Sequence, residues 1–407
     1  MNILYIHQYF CTPQEPSGTR SYWISRELIR RGHHVTMICS TNKMHPDACE
    51  TDIDGIHVIY VKNDYSNYMS APRKVLSFVN FLRLAIIAGK RQKGIDIVFA
   101  TSTPLTIGYV AMRLKAIKKW PYVFEVRDLW PEFPIQIGAI KNPLLIWGLR
   151  KFEKRIYDKS EHVVALSPGM EEGVLKVGTP REKVSMIPNM SKPDRFYPRE
   201  PNMDIAQRFK IDVCKFNVIH FGSMGRANGL KYIIDTAKYL QDLGHSDVNF
   251  VFLGDGATCP LLKQQVEELG LKNVQFLGSH PMDIVSEIVN LCDASITSFL
   301  NLPILQTNSP NKLFDSLSAG KPIIVNSAGW TKDLVEKDDC GFYVDPENPM
   351  DFVEKLMIHK EDKATLKRWG DNARRLSLEV FDKDILSAKV ADVIENVNGN
   401  KDVQTFL

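Results

Sequence analysis

The chain has 407 residues, 44% of them hydrophobic, and 51 lysines and arginines nearly balance 48 acidic residues to leave a net charge of +3. That length exceeds what one ordinary hydrophobic core organises and predicts two domains, while the charge balance carries no nucleic-acid-binding signature. The seven cysteines, Cys11, Cys39, Cys49, Cys214, Cys259, Cys292 and Cys340, are scattered, odd in number and free of any Cys-x-x-Cys pair. They predict neither a disulfide framework nor a zinc cluster, and a reducing cytoplasm is the simpler home.

The opening residues Met1 to His7 lack the basic start of a secretory leader and read as a first strand. Further apolar runs at 35–39, 56–61, 95–100, 122–126, 162–166 and 184–187 predict strands. Helical periods lie between them, at 22–31, where Trp23, Leu28 and Ile29 share a face, and at 144–157. Such βα alternation predicts a doubly wound domain. Residues 188–198, rich in Pro and Asn and without periodicity, predict an interdomain connection. Strands resume at 217–221, 249–253, 274–277, 294–297, 323–325 and 341–344, and helical sequence follows Pro349. A last helix is expected from Phe381 and Asp382, with a frayed tail from Asn396 to Leu407. The expected division is 1–190, 191–380, and a C-terminal helix 381–407 returning toward the first domain.

Several strand-to-helix loops carry chemistry. The polar loop 9–20 ends at a helix, and Gly18 would let a substrate approach backbone N–H groups there; a plain helix start capped by Ser17 or Thr19 explains it equally well. Arg20 has no apolar role in that reading. In Gly222-Ser223-Met224-Gly225-Arg226, continued to Gly229, three glycines in eight residues suit a loop folded around a diphosphate, with Arg226 supplying charge. The spacing fits neither the dinucleotide fingerprint nor a Walker loop. Lys312 and Asp315 share a face in the opening turn of a predicted helix, just before the apolar strand 323–325. There a lysine can meet phosphate oxygens and a carboxylate can grip a ribose diol; the plainer alternative is a surface ion pair worth roughly a few tenths of a kcal/mol. Arg127, Asp128, Trp130 and Glu132 follow a strand directly, at the edge where α/β proteins bind ligands, although Asp128 as a helix cap competes. His7, at the end of the first strand, suits either a core or a ligand-facing place. Segment 71–93 is apolar, interrupted by Asn80 and Arg83 and edged by Arg73, Lys74, Lys90, Arg91 and Lys93. It fits a helix resting on an anionic membrane surface, or a domain helix packed on its sheet.

Residues 17–18, 31–36, 126–131, 222–225, 310–312 and 320–322 together make the chain resemble the retaining, two-domain GT-B glycosyltransferases of family 4. Within that family it is similar to bacterial O-antigen and capsule transferases of N-acetyl-L-fucosamine. The resemblance covers nearly the whole chain. It implies an α/β GT-B fold, two facing Rossmann-like doubly wound domains with a deep interdomain cleft, and hexosyltransferase-type chemistry. The donor would be a UDP-sugar held without metal. The acceptor would be a polyprenyl-diphosphate-linked saccharide, reached by a cytoplasmic enzyme peripheral on the anionic inner face of the membrane. Of the family's two glutamates with seven residues between them, the second position is Asp315 and the first is Thr307, where backbone N–H groups around Asn308 to Asn311 would stand in. The family's arginine and lysine positions are Ser223 and Asn228, leaving Arg226 and Lys312 as substitutes, and its histidine position is Arg127. The resemblance thus implies Arg226, Lys312, Asp128 and Arg127 for the chemistry, and Gly18, Gly222, Ser223, Gly225, Asn311 and Asp315 for donor binding. A UDP-sugar epimerase or sugar phosphorylase of the same design is the competing enzyme reading, and a pure binding module the non-enzymatic one.

Overall fold

The structure is a computed structural model and describes residues 1–15, 18–41, 49–65 and 69–399. The chain divides into two compact units. The first is built from the chain up to Pro188, apart from a short loop segment, and from Lys383 onward; the second is built on Asn189–Asp382.

The first unit begins with β1 (Asn2–Ile6), α1 (Arg20–Arg30), β2 (His34–Thr41), β3 (Cys49–Ile53), β4 (Ile56–Lys62) and α2 (Ala71–Arg91). It continues through β5 (Ile97–Thr101), α3 (Thr106–Lys118), β6 (Tyr122–Val126), α4 (Glu132–Gln136), α5 (Pro143–Lys159), β7 (His162–Ala165), α6 (Pro168–Lys176) and β8 (Val184–Met186). These strands form one sheet in the order β3-β4-β2-β1-β5-β6-β7-β8. All neighbours are parallel except β3, which runs antiparallel to β4. The sequence reading missed β3. Its residues Cys-Glu-Thr-Asp-Ile are too polar to announce a strand, and they are tolerated because β3 lies at the sheet's edge. By contrast β1, β5 and β6 are buried on both faces and read as continuous apolar runs.

The second unit repeats the plan with α7 (Met203–Phe209), β9 (Phe216–Phe221), α8 (Lys231–Asp242), β10 (Val248–Leu253), α9 (Cys259–Glu268), β11 (Val274–Gly278) and α10 (Met282–Leu291). It closes with β12 (Ala294–Thr297), α11 (Asn311–Ser318), β13 (Ile323–Val325), α12 (Trp330–Lys337), β14 (Gly341–Tyr343), α13 (Pro349–His359) and α14 (Lys363–Glu379). Its six strands are ordered β11-β10-β9-β12-β13-β14, all parallel. Alternate residues feed two cores: Val218, Phe250 and Phe252 join one cluster with Phe352, while Ile219, Phe221, Val251 and Leu253 join the other with Ile288 and Val289. In both units a doubly wound parallel sheet delivers the C-terminal strand ends, and the loops that follow them, to one edge.

The last helix, α15 (Lys383–Asn398), belongs to the first unit and packs on α1. It starts two residues later than the sequence suggests, because Asp382 is still occupied in a β-bridge with Ser191. The expected fraying at Asn396 does not occur either, since α15 continues through that residue; the remainder of the tail, 400–407, lies outside the described residues. Pro188–Pro198 contains no helix or strand.

Candidate active site

In the second unit the site grows from the ends of β9 and β10. Gly222 follows β9 with φ +107°, and Gly254 follows β10 with φ +134°. A Cβ on Gly254 would stand 2.0 Å from the Gly222 carbonyl oxygen, so the two turns pack backbone on backbone and leave no room for a side chain at Gly254. The Met224 N–H donates to the Asp255 carbonyl at 2.9 Å, and the Thr258 hydroxyl donates to the Met224 carbonyl at 2.7 Å. Ser223 is exposed and Gly225 half-buried on the resulting loop.

Lys312 enters from α11. Its Nζ donates to Asn228 Oδ1 at 3.1 Å and lies 3.4 Å from His220 Nε2. Asn228 in turn donates through Nδ2 to the Ser223 carbonyl at 2.9 Å, so one amide ties the lysine to the glycine-rich loop. As an ammonium the lysine only donates, which leaves His220 Nε2 as the acceptor and the ring neutral. Burial, and then the charge of Lys312, hold His220 well below the ordinary imidazole range. Burial also pushes the Lys312 ammonium down to about 7. This lysine is therefore poised between charge states and short of an anionic partner.

The other members of the expected set have different neighbours. Asp315 does not pair with Lys312. Its carboxylate accepts from Lys192 Nζ at 2.7 Å, with both side chains buried, which corrects the surface-pair reading. Burial raises the Asp315 carboxyl against the pull of Lys192. The same connecting segment laces along α11 elsewhere: Asn189 donates to Ser309, Ser191 to the Phe314 carbonyl at 3.0 Å, and the Lys192 N–H to Ser318 Oγ at 3.0 Å. Asn311 opens α11 behind Pro310, and the Thr307 hydroxyl donates to the Ile304 carbonyl at 2.7 Å. Arg226 opens a 3₁₀ turn, Arg226–Asn228, and is exposed. It lines a cavity of about 380 Å³ with Lys231, Leu261, Gln265 and Phe299, and no hydrogen bond among the described residues joins it to Lys312.

In the first unit the adjacent strands β1, β5 and β6 bring a second cluster to their C-terminal ends. Arg127 donates from its guanidinium to His7 Nε2 at 3.2 Å, and His7 Nδ1 meets Ser21 Oγ at 2.8 Å. Arginine cannot accept, so the proton of the neutral ring sits on Nδ1 and goes to Ser21. Burial, then Arg127, keep His7 well below the ordinary imidazole range. The Arg127 N–H donates to Ser102 Oγ at 2.9 Å, and Thr103 Oγ1 donates to Asp128 Oδ2 at 2.8 Å. Asp128 therefore caps no helix; Pro131 stands at the N-cap of α4, which has no side-chain cap. Burial raises the Asp128 carboxyl against Thr103 and Arg127.

Gly18 stands half-buried just ahead of α1, while Ser17 lies outside the described residues. Thr19 does not cap the helix; its hydroxyl accepts from the Trp23 indole at 3.1 Å. Arg20 is a structural residue, paired with Glu125 at 2.8 Å and donating to the carbonyls of Ile187 and Pro188 in full burial. Sequence reasoning missed His220 and Lys192, and gave Asn228 only as the position where the family's lysine is replaced. The signal for His220 was present: it lies at the end of the first strand of its unit much as His7 follows β1. Gln8 was also missed. It is fully buried, and neither atom of its side-chain amide has a hydrogen-bond partner among the described residues. Among the described residues no group of three or more His, Cys, Asp or Glu is placed to hold a metal ion.

Residues 17–190 match the family described as Glycosyl transferase 4-like domain, and residues 204–376 match Glycosyl transferases group 1. A curated relative, alpha-galactosylglucosyldiacylglycerol synthase from Streptococcus pneumoniae, is 22% identical over 61% of this chain. That match spans 65% of the relative's own length, less than two-thirds. Sucrose-phosphate synthase from Thermosynechococcus elongatus superposes with a TM-score of 0.78 at 15% identity, covering 98% of this chain and 100% of the other. HepE of Anabaena, in complex with UDP and glucose, gives 0.71 at 18% identity, covering 97% and 99%. At these identities the structures establish the fold.

Proposed function

We propose that this chain, a GT-B-fold glycosyltransferase related to those two families, transfers a sugar from a UDP-sugar to a lipid-linked saccharide with retention at the anomeric carbon. The observation that carries the donor half is Lys312, a half-buried ammonium among neutral partners, tied by Asn228 to a glycine turn that exposes backbone. A diphosphate supplies the charge this lysine lacks, and leaves more easily when that lysine is protonated. Ser223, Gly225 and Asn311 present further donors around it, Arg226 adds mobile charge from the same loop, and Asp315 serves the ribose through the oxygen not taken by Lys192. HepE of Anabaena, which shares the fold and holds UDP and glucose, supports this choice of nucleotide.

Arg127 and Asp128 are proposed to contact the acceptor, with the neutral His7 fixing the guanidinium. Retention then follows from attack by the acceptor hydroxyl on the face the diphosphate leaves, a phosphate oxygen accepting the proton. N-acetyl-L-fucosamine as the sugar, and O-antigen or capsule polysaccharide as the product, rest on the sequence resemblance. A lipid-borne acceptor is favoured by α2, where Val75, Leu76 and Val79 are each more than half exposed beside Arg73 and Lys74. The other face of α2 packs on the sheet through Phe81, Ala85 and Ala88, which bears out the domain-helix reading and leaves the Val75 and Leu76 side open to a lipid surface. No helix among the described residues is long and apolar enough to cross a membrane.

Calorimetry with UDP, followed by a screen of UDP-sugars against a lipid-linked N-acetylhexosamine and NMR of the product anomer, tests the reading. Binding of UDP and a retained linkage are expected. An inverted product, or epimerised donor without acceptor, would replace it with a different enzyme.

A further inference from the structure

Two clusters of three exposed large apolar side chains stand out on the first unit: Val75, Leu76 and Val79 on α2, and Leu144, Leu145 and Trp147 on α5. The second has no place in the donor or acceptor chemistry. Leu144 is 79% exposed, Leu145 51% and Trp147 60%, all in the opening turns of a helix capped by Asn142. Three neighbouring apolar side chains that a helix leaves in water require a reason that isolated ones do not.

Topology fixes where these turns lie. The C-terminus of α5 at Lys159 leads within three residues into β7, and α2, ending at Arg91, leads into β5 at Ile97. Each helix therefore runs antiparallel to the strands, with its N-terminal turns toward the C-terminal edge of the sheet. At about 1.5 Å per residue, helices of 21 and 17 residues reach roughly 31 and 25 Å, beyond a five-residue strand of about 17 Å. Both helices pack against α3, so they share one layer of the unit. The apolar turns thus lie toward the same sheet edge as Arg127 and Asp128.

The chemistry of the α5 turn is amphipathic and basic. Leu144, Trp147 and Lys151 follow one another at helical spacing, and Lys151 Nζ lies 4.0 Å from the Trp147 ring centroid. Lys141 is exposed nearby, while the exposed Arg150 and Lys154 are paired with Glu132 at 2.7 Å and Asp158 at 2.9 Å, so Lys141 and Lys151 carry the positive charge of this turn. A tryptophan with leucines among cations matches the boundary of an anionic bilayer, where indole and acyl carbon mix and phosphates meet lysines. We infer that the first turn of α5 is a membrane anchor, inserting Leu144, Leu145 and Trp147 into the headgroup boundary of an anionic lipid surface, as the second point of a contact whose first point is α2. This rests on the reading that the acceptor is carried by a lipid, and it explains how such an acceptor would be met at that edge of the sheet.

The test is flotation of the full chain with vesicles of phosphatidylglycerol and phosphatidylcholine, and with phosphatidylcholine alone, using a Leu144→Glu/Trp147→Glu double variant. A Leu76→Glu/Val79→Glu variant gives the α2 contribution. Both pairs are exposed, so circular dichroism, the melting temperature and UDP affinity should not change. Wild type should bind anionic vesicles and bind neutral ones poorly, and the α5 variant should partition at least about tenfold more weakly, with Trp147 fluorescence shifting blue only when vesicles bind wild type. Equal partitioning of wild type and the α5 variant overturns the inference while leaving lipid contact through α2 standing. A wild type that ignores vesicles but self-associates through this turn also overturns it, in favour of a second copy. Failure of UDP to bind at all would count against the donor reading and not against the anchor.

Discussion

The two units solve the same problem with different cations. In each, a buried neutral histidine at the end of the first strand faces a cation delivered from another element: Arg127 to His7 in one, Lys312 to His220 in the other. Each also seals a buried ion pair beside the connecting chain, Arg20 with Glu125 and Lys192 with Asp315. The difference is that a guanidinium keeps its charge at any working pH, whereas the Lys312 ammonium has been brought to about 7. One cluster is a fixed positive scaffold, and in the proposed function the other takes up its charge when an anion arrives.

The largest effect that would break this symmetry is on stability. Arg20→Met leaves Glu125 charged in full burial and abandons two backbone carbonyls, and should cost about 3–5 kcal/mol. Lys192→Met does the same to Asp315, at similar cost, and additionally loosens α11. Thermal unfolding of the full chain measures both. If Lys192→Met proves harmless to stability, the second pair is not the counterpart of the first.

Next in size is catalysis. Lys312→Met should lower turnover by about 10²–10³-fold, the usual scale for removing one charge-stabilising donor. Yet the variant should be more stable than wild type near neutral pH. The folded pKa of Lys312 is depressed from 10.5 to about 7, so below about 7 both states carry the proton and the full cost of burying it is present. Between about 7 and 10.5 the unfolded chain binds more protons, and stability from this group rises with pH. Replacing the lysine should recover about 1–3 kcal/mol at pH 6 and remove the upslope. A variant that keeps full turnover takes Lys312 out of the chemistry.

Much of this contrast was legible in the sequence, and some of it could not be. Parallel strands buried on both faces announce themselves, and 122–126, 294–297 and 323–325 are strands residue for residue. The edge strand β3 did not, because pairing with β4 on one side alone tolerates polar residues. Lys312 was legible because a lysine one residue inside a helix that precedes an apolar strand has few structural uses. Its partners were not, since His220 and Asn228 lie 92 and 84 residues away and meet it only through the sheet order. The partner chosen by Asp315 was hidden for the same reason: helical spacing points to Lys312, but burial selected Lys192 from a segment with no periodicity at all.

A smaller effect sharpens the comparison through ligand binding. A diphosphate favours the charged lysine and raises its pKa, so above about pH 7 UDP binding must take up a proton. Affinity for UDP should then fall with pH, approaching about tenfold per unit between about pH 7.5 and 9. Calorimetry in buffers of different ionisation enthalpy should count close to one proton taken up at about pH 8.5, and none in Lys312→Met. A flat profile would place UDP away from this lysine.

The smallest effect concerns the fixed cluster. His7 is held down first by burial and second by Arg127, so Arg127→Leu removes only the lesser cause. The His7 pKa should rise in this variant yet stay below that of an exposed imidazole, and the ring proton, which Arg127 confines to Nδ1 by donating to Nε2, should become free to sit on either nitrogen while the 2.8 Å contact with Ser21 persists. NMR titration of the ring Cε1–H, with nitrogen shifts to identify the tautomer, reads both quantities. A His7 that titrated like a free imidazole after the substitution would mean that Arg127 and not burial keeps the ring neutral. The first unit would then rest on a charge contact as adjustable as the one at Lys312, and the contrast between a fixed and a switchable cation would fail.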